Sequence, residues 1–152
     1  MPGYKGHIAG ASILYACIIY PILYFMHPSW YLATEWFFFM IAGALFPDVD
    51  TKSKGQYLFY YAVAALLLFL FFNRCYELTA LCGILALIPL LVPHRGLFHE
   101  TWFVILLPLL VAGTASICLP HYATIMFVDA LFFIAGALSH LCLDRGVKRV
   151  FK

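Results

Sequence analysis

The chain alternates between long apolar stretches and short polar connections. Six apolar stretches can be recognised, at roughly 8–26, 30–46, 57–72, 78–92, 101–119 and 123–143. A bilayer core of about 30 Å needs about 20 helical residues, with a range of about 17–25. The first, fifth and sixth stretches meet this length, whereas the third and fourth are shorter, so one of them is expected to be tilted, broken or re-entrant. The pattern predicts an all-α, multi-pass transmembrane bundle of about six spans.

Composition supports a membrane protein with one domain. The chain is 65% hydrophobic and 11% charged, against roughly 25% charged residues in a soluble domain. The longest polar connection, 48–56, is a short loop, and no other segment indicates a domain boundary. We therefore expect residues 1–152 to form a single integral membrane domain, with membrane lipid as a partner and no nucleic-acid partner. The oligomeric state is not indicated.

Potential metal ligands occur at one set of helix ends. If each stretch crosses the membrane, or if the third and fourth form a re-entrant hairpin, seven such residues lie on one face. They are His7, Asp48, Asp50, His94, His99, His140 and Asp144. The placement predicts a metal site embedded at one membrane face.

The basic residues have the same asymmetry. Eight lie on the face of the potential ligands, and only Arg74 lies on the other. The eight are Lys5, Lys52, Lys54, Arg95, Arg145, Lys148, Arg149 and Lys152. Because short loops rich in Lys and Arg remain cytoplasmic, we expect both termini and the site to face the cytoplasm.

A short motif of small residues recurs beside the potential ligands. Ile-Ala-Gly-Ala occurs at 8–11, 41–44 and 134–137. Small residues allow membrane helices to approach closely, so the motif could bring the first, second and sixth stretches together. The alternative is that Gly and Ala are simply common in membrane helices.

The spacing of the ligands favours a site with imidazole and carboxylate groups. His140 and Asp144 are four residues apart, which places both on one helix face. His94 and His99 flank a predicted chain reversal at Gly96, and the Asp48–Asp50 pair follows a proline. This donor set suits zinc, and also manganese, iron or cobalt, better than magnesium. Seven candidates exceed the needs of one ion, so either two ions share them, or one ion binds and the remaining residues orient its histidine ligands.

Each residue also has a simpler explanation when it is considered alone. His7 could be an ordinary interfacial histidine, and His94 could bond a helix end. Asp48 and Asp50 could belong to a solvated turn. The five cysteines contain no C-x-x-C pair and are interpreted as packing residues.

The motifs resemble those of a known family. His7, FPDVD, HRGLFH and SHLCLD follow the order found in the LexA-regulated, membrane-bound metal-dependent hydrolase family, over nearly the whole chain. The resemblance implies a multi-pass membrane protein with metal-assisted hydrolase activity. Phe98 and Glu100 replace the Thr and Ser of the family's usual HRG-x-T-H-S pattern, which bears more on substrate preference than on metal binding.

Arg95 favours hydrolysis of an anionic substrate. A guanidinium beside metal ligands would repel a travelling cation, but it would bind a phosphate oxygen. Asp50 or Glu100 could act as the general base. We therefore expect a metal-dependent hydrolase that acts at the cytoplasmic membrane face on an anionic, lipid-linked ester, preferentially a phosphoester.

Two alternatives remain at this stage: a transporter or metal-handling protein, and a non-catalytic membrane protein stabilised by metal. For transport, Glu35 and Asp129 lie within the predicted spans, and intramembrane carboxylates are functional candidates. Asp129 lies 11 residues before His140 on nearly the same helix face, so a polar track between them is geometrically conceivable.

Overall fold

A computed structural model describes residues 3–91, 96–146 and 150, with only the backbone of Cys118. The helices are α1 (Tyr4–Met26), α2 (Trp30–Leu45), α3 (Lys54–Phe72), α4 (Tyr76–Leu85), α5 (Ile88–Leu91), α6 (Thr101–Cys118) and α7 (Ala123–Arg145). Short 3-10 turns occur at Phe46–Asp50, Leu97–His99 and Pro120–Tyr122. The described residues contain no strand, so the predicted all-α multi-pass bundle is confirmed.

Four helical segments are long and apolar enough to cross a membrane: Tyr4–Met26, Trp30–Asp50, Lys54–Phe72 and Pro120–Arg145. Tyr76–Leu91 and Thr101–Ile117 are shorter apolar segments. The third stretch is longer than expected, because Ser53 caps α3 by accepting a hydrogen bond from the backbone N–H of Gln56, and the helix begins at Lys54.

The fourth apolar stretch is broken into α4 and α5. The break falls at Ala86 and Leu87, shortly before Pro89, which has no N–H to continue a helical hydrogen-bond ladder. The hydroxyl of Tyr60 on α3 donates to the carbonyl of Ala86 at 3.1 Å. A neighbouring helix thus satisfies a carbonyl at the break, as the membrane interior requires.

The core of the bundle is the crossing of α2 and α7. A Cβ added at Gly136 would collide with the carbonyl oxygen of Met40, and one added at Gly43 would collide with the carbonyl oxygen of Phe133. On α1, a Cβ added at Gly10 would lie 2.7 Å from Cδ1 of Leu143. Glycines of all three Ile-Ala-Gly-Ala copies therefore lie at helix contacts, as predicted from the small-residue motif.

The remaining helices surround this crossing. α1 packs against α2 and α7, and α6 packs against α7. Their outward faces carry exposed large apolar side chains such as Leu110 and Ile117, which suits contact with lipid. The helix ends on one face of the bundle converge at the polar cluster described next.

A candidate metal centre at one end of the bundle

Five of the predicted ligands meet at one end of the bundle. His7 lies in the first turns of α1, Asp48 in the turn after α2, His99 just before α6, and His140 and Asp144 near the end of α7. Their ligand atoms form two overlapping groups, each with all atoms within 4.8 Å of one another: His7, His140 and Asp144, and Asp48, His99 and His140.

The imidazoles and carboxylates face one another across short gaps. The Nε2 atom of His7 lies 3.4 Å from Oδ1 of Asp144. The Nε2 atom of His140 lies 3.6 Å from Oδ1 of Asp48 and 3.6 Å from Oδ2 of Asp144. The Nε2 atom of His99 is 3.9 Å from Oδ1 of Asp48. All three histidines thus present the same ring nitrogen to the centre.

These separations fit joint coordination of an ion better than direct hydrogen bonding. An N–H···O bond usually measures about 2.7–3.2 Å. Two atoms that each lie about 2.0–2.2 Å from a tetrahedral zinc ion are about 3.3–3.6 Å apart. The His7–Asp144 and both His140 distances have this length, and the His99–Asp48 distance is slightly longer.

His140 is the central residue of the cluster and is fully buried. Its Nδ1 atom lies 2.7 Å from the carbonyl oxygen of Ala44 on α2. A carbonyl oxygen can only accept, so Nδ1 carries the proton and donates it. In the neutral ring the lone pair then resides on Nε2, which makes no hydrogen bond with the described residues. This arrangement is the one by which proteins orient a metal-binding histidine.

His7 packs flat against His140. The ring centroids are 3.7 Å apart and the planes are inclined by 15°. Two protonated imidazoles at this distance would repel each other, so the stack suits neutral rings, the form that binds metal. The stack also holds α1 against α7 at the site.

The loop after α2 is ordered around Asp48. The hydroxyls of Thr51 and Ser53 both donate to the Asp48 carbonyl, at 3.0 and 2.8 Å. The side-chain amide of Gln56 donates to the Val49 carbonyl at 3.1 Å. These bonds hold the backbone from which the Asp48 side chain, which is 21% exposed, extends towards His140.

Four candidate residues do not appear in the two groups. Asp50 lies at the end of the turn that carries Asp48, and neither group formed by the described residues includes it. Glu100 is 48% exposed, with Oε1 3.7 Å from Nη2 of Arg145. His94 and Arg95 lie outside the described residues. The proposed roles of all four residues stay predictions.

The role of the Ala44 carbonyl could not be predicted from the sequence. A backbone acceptor leaves no residue type to recognise, although Ala44 ends one Ile-Ala-Gly-Ala copy and lies two residues before FPDVD. The contact of Arg145 with Glu100, which joins the end of α7 to the beginning of α6, was not predicted either. Thr101 adds a second link there by donating to the Val150 carbonyl at 2.8 Å.

The fold and this cluster define a multi-pass membrane protein with a polar centre at one membrane face. A family model described as YdjM inner membrane protein matches residues 1–149. The chain belongs to this family and is an inner membrane protein, in agreement with the inner-membrane family that the motifs resemble. Comparisons with curated proteins and with solved structures found no match.

Proposed function

We propose that this protein is a metal-dependent hydrolase that acts at the cytoplasmic membrane face on an anionic, lipid-linked ester, specifically a phosphoester. The observation that carries the proposal is the buried convergence of three imidazoles and two carboxylates at ligand–ligand separations. His140 supports it most directly, because its Nε2 is buried and without a hydrogen bond from the described residues, while its Nδ1 is held by the Ala44 carbonyl.

The donor set indicates which ion would bind. His7, His99 and His140 offer neutral nitrogen, and Asp48 and Asp144 offer carboxylate oxygen. This mixture suits zinc, and also manganese, iron or cobalt. When bound, such an ion would polarise a phosphoryl oxygen and supply hydroxide near neutral pH.

The site has one accessible side. Asp144 is 6% exposed and His140 is fully buried, whereas Asp48 is 21% exposed. A substrate would therefore approach past Asp48, at the end of the bundle where headgroups lie. An amphipathic molecule could reach this position from the lipid while its hydrocarbon part remained in the membrane.

An anionic substrate would find positive potential next to His99. Arg95 precedes His99 by four residues in the sequence, and a guanidinium binds phosphate oxygens with two parallel donors. The first backbone N–H groups of α6 follow directly after Glu100, and a helix N-terminus favours anions. Together they would bind the phosphoryl oxygens and orient the phosphorus for attack by hydroxide, with the lipid alcohol as the leaving group.

Asp50 and Glu100 are the two candidates for the general base. Asp50 follows the ligand Asp48 by two residues on the same turn. Glu100 is the more accessible of the two, and its Oε1 lies 3.7 Å from Nη2 of Arg145. Both residues stay candidates for this role.

Helix packing weighs against transport through the site. The polar track considered between Asp129 and His140 would run along α7 past Gly136. There α2 lies against α7, and even one added Cβ would collide with the Met40 carbonyl oxygen. Ala137, one residue nearer the site, is fully buried. The α2–α7 crossing therefore leaves no space for an ion between these two helices at Gly136.

Hydrolysis can be tested with purified protein in neutral detergent that contains zinc or manganese. Dodecyl phosphate tests for a monoesterase, by release of inorganic phosphate, and bis(p-nitrophenyl) phosphate tests for a diesterase. His140→Ala should lose metal and activity together. His121→Ala is the matched control, because His121 lies in the Pro120–Tyr122 turn on the opposite face. Metal-loaded wild-type protein that hydrolyses neither phosphoester would disprove the proposal.

A further inference from the structure

A second region combines an apolar cavity with a buried carboxylate, and none of the five converging metal-site residues lines it. The cavity lies between α2, α6 and α7 and encloses about 350 Å³. This is within the range of small-ligand pockets, about 300–1,000 Å³. Its walls include Phe39, Phe46, Val111 and Met126, and Asp129 is the one ionisable residue among the described residues that line it.

Asp129 has no partner for its charge within the described chain. Its side chain is 6% exposed, and its Oδ1 atom is buried without a hydrogen bond. No ion pair of Asp129 with a described residue is present either. A carboxylate withdrawn from water is costly unless a donor or a cation accompanies it, so a ligand with such a group would be stabilised at this position.

The position of Asp129 gives the cavity a polar end and an apolar end. Asp129 lies six residues after the first residue of α7, which places it about 9 Å below that end of the helix. The end of α7 at Ala123 lies at the membrane face opposite the metal centre. Phe46, at the other end of the cavity, belongs to the turn that leads to Asp48. A bound amphiphile would therefore have its polar group near the opposite face and its chain directed inward.

The charges around the cavity indicate whether the polar group of the ligand is neutral or cationic. Glu35 on α2 is close enough for its charge to act on Asp129, so two carboxylates contribute negative potential. No Lys or Arg lies between 30 and 45 on α2 or between 123 and 144 on α7. An ammonium group would supply the missing positive charge.

We propose that the cavity between α2, α6 and α7 is a binding site for a long-chain amine, whose ammonium group pairs with Asp129 while its hydrocarbon chain extends towards Phe46. The site is independent of the hydrolase proposal, because none of the five converging metal-site residues lines it. A ligand would reach it from the leaflet opposite the metal centre.

The test uses dodecylamine and dodecanol, which have equal chain lengths but differ in charge. Binding to the purified full-length protein is measured by calorimetry in neutral detergent below pH 8, where the amine is protonated. Dodecylamine should bind at least tenfold more tightly than dodecanol. Asp129→Asn, which preserves side-chain size, should remove this difference. Equal binding of both probes to the wild type, or an unchanged amine preference in Asp129→Asn, would overturn the proposal.

Two further variants separate cavity binding from partition into the micelle. Ala112 on α6 lines the cavity, so Ala112→Phe should fill it and abolish binding of both probes. Gly113 is the adjacent residue, and a Cβ there meets open space, so Gly113→Phe should leave binding unchanged. Undiminished dodecylamine binding to a folded Ala112→Phe protein would show that the amine only partitions into the micelle, and it would contradict the proposed site. If that variant does not fold, the comparison of the two probes in Asp129→Asn still tests the proposed site.

Discussion

The Nδ1–H of His140 on α7 donates to the carbonyl of Ala44 on α2, at 2.7 Å. This bond joins the central residue of the polar cluster to the helix crossing at the centre of the bundle. It fixes which ring nitrogen faces the carboxylates. The geometry of the site therefore depends on how closely α2 and α7 approach each other, and that approach depends on Gly43 and Gly136.

Gly136→Ala tests this dependence. The added Cβ would collide with the Met40 carbonyl oxygen and would lie 2.9 Å from the Ala44 backbone nitrogen, so α2 must move away from α7. We expect a loss of about 1–3 kcal/mol in unfolding free energy, typical of overpacking. Metal affinity should fall about 10–100-fold, as when a ligand's supporting hydrogen bond is lost. Thermal unfolding and competition with a metal chelator measure the two effects.

Gly113→Ala is the control, because its added methyl group meets open space on α6. It should retain metal affinity and should be as stable as the wild type or slightly more stable, since Ala favours helix over Gly by about 1 kcal/mol. Wild-type metal affinity in a Gly136→Ala protein would mean that the Ala44 bond does not orient the site.

We predict that His140 binds a single metal ion. Its Nε2 has one lone pair, and both candidate ligand groups require that atom, so they describe overlapping coordination of one ion rather than two independent sites. Elemental analysis should show about one equivalent of metal lost from His140→Ala. His121→Ala should lose none. A loss of two equivalents from His140→Ala would instead favour a two-metal site bridged by Asp48 and Asp144.

Arg95→Ala should separate substrate binding from metal binding. An arginine remains protonated and offers only donors, so it cannot bind a cation. The variant should keep its metal but lose most of its turnover of an anionic substrate. Arg95→Lys should recover activity only in part, since an ammonium keeps the charge without the planar pair of donors. If metal-loaded Arg95→Ala hydrolysed the substrate at the wild-type rate, Arg95 would have no role in substrate binding and would only contact lipid headgroups.

The cytoplasmic orientation that the basic residues predict can be tested by cysteine labelling in whole cells and inverted vesicles. Cysteines introduced at Lys54, Arg95 and Lys152 should react from the cytoplasmic side, and one at Arg74 from the other side. The control is labelling at Arg74 in both preparations, which shows that each reagent is excluded by the membrane. Arg95 and Lys152 on opposite sides would remove the basis for a shared site.

The apolar spans, the helical class and the one-sided placement of the ligands could be predicted from the sequence. Span length and hydropathy are local properties of the sequence. The face on which a loop lies depends on whether an odd or an even number of spans precedes it, and not on how the helices pack. The pairing of His140 with Asp144 was also predictable, because residues four apart on a helix lie on the same face. Their separation of 3.6 Å follows from helix geometry together with the rotamers of the two side chains.

The tertiary structure decided the relationships between helices. The stack of His7 on His140, the Ala44 acceptor and the approach of Asp48 to His99 connect residues far apart in the chain. Likewise, the contact of Glu100 with Arg145 and the absence of Asp50 from both groups of described ligands were not evident from spacing. Sequence periodicity specifies which face of a helix is small or polar. Which faces meet, and at what distance, is set by backbone contact at Gly43 and Gly136, which only the packed bundle specifies.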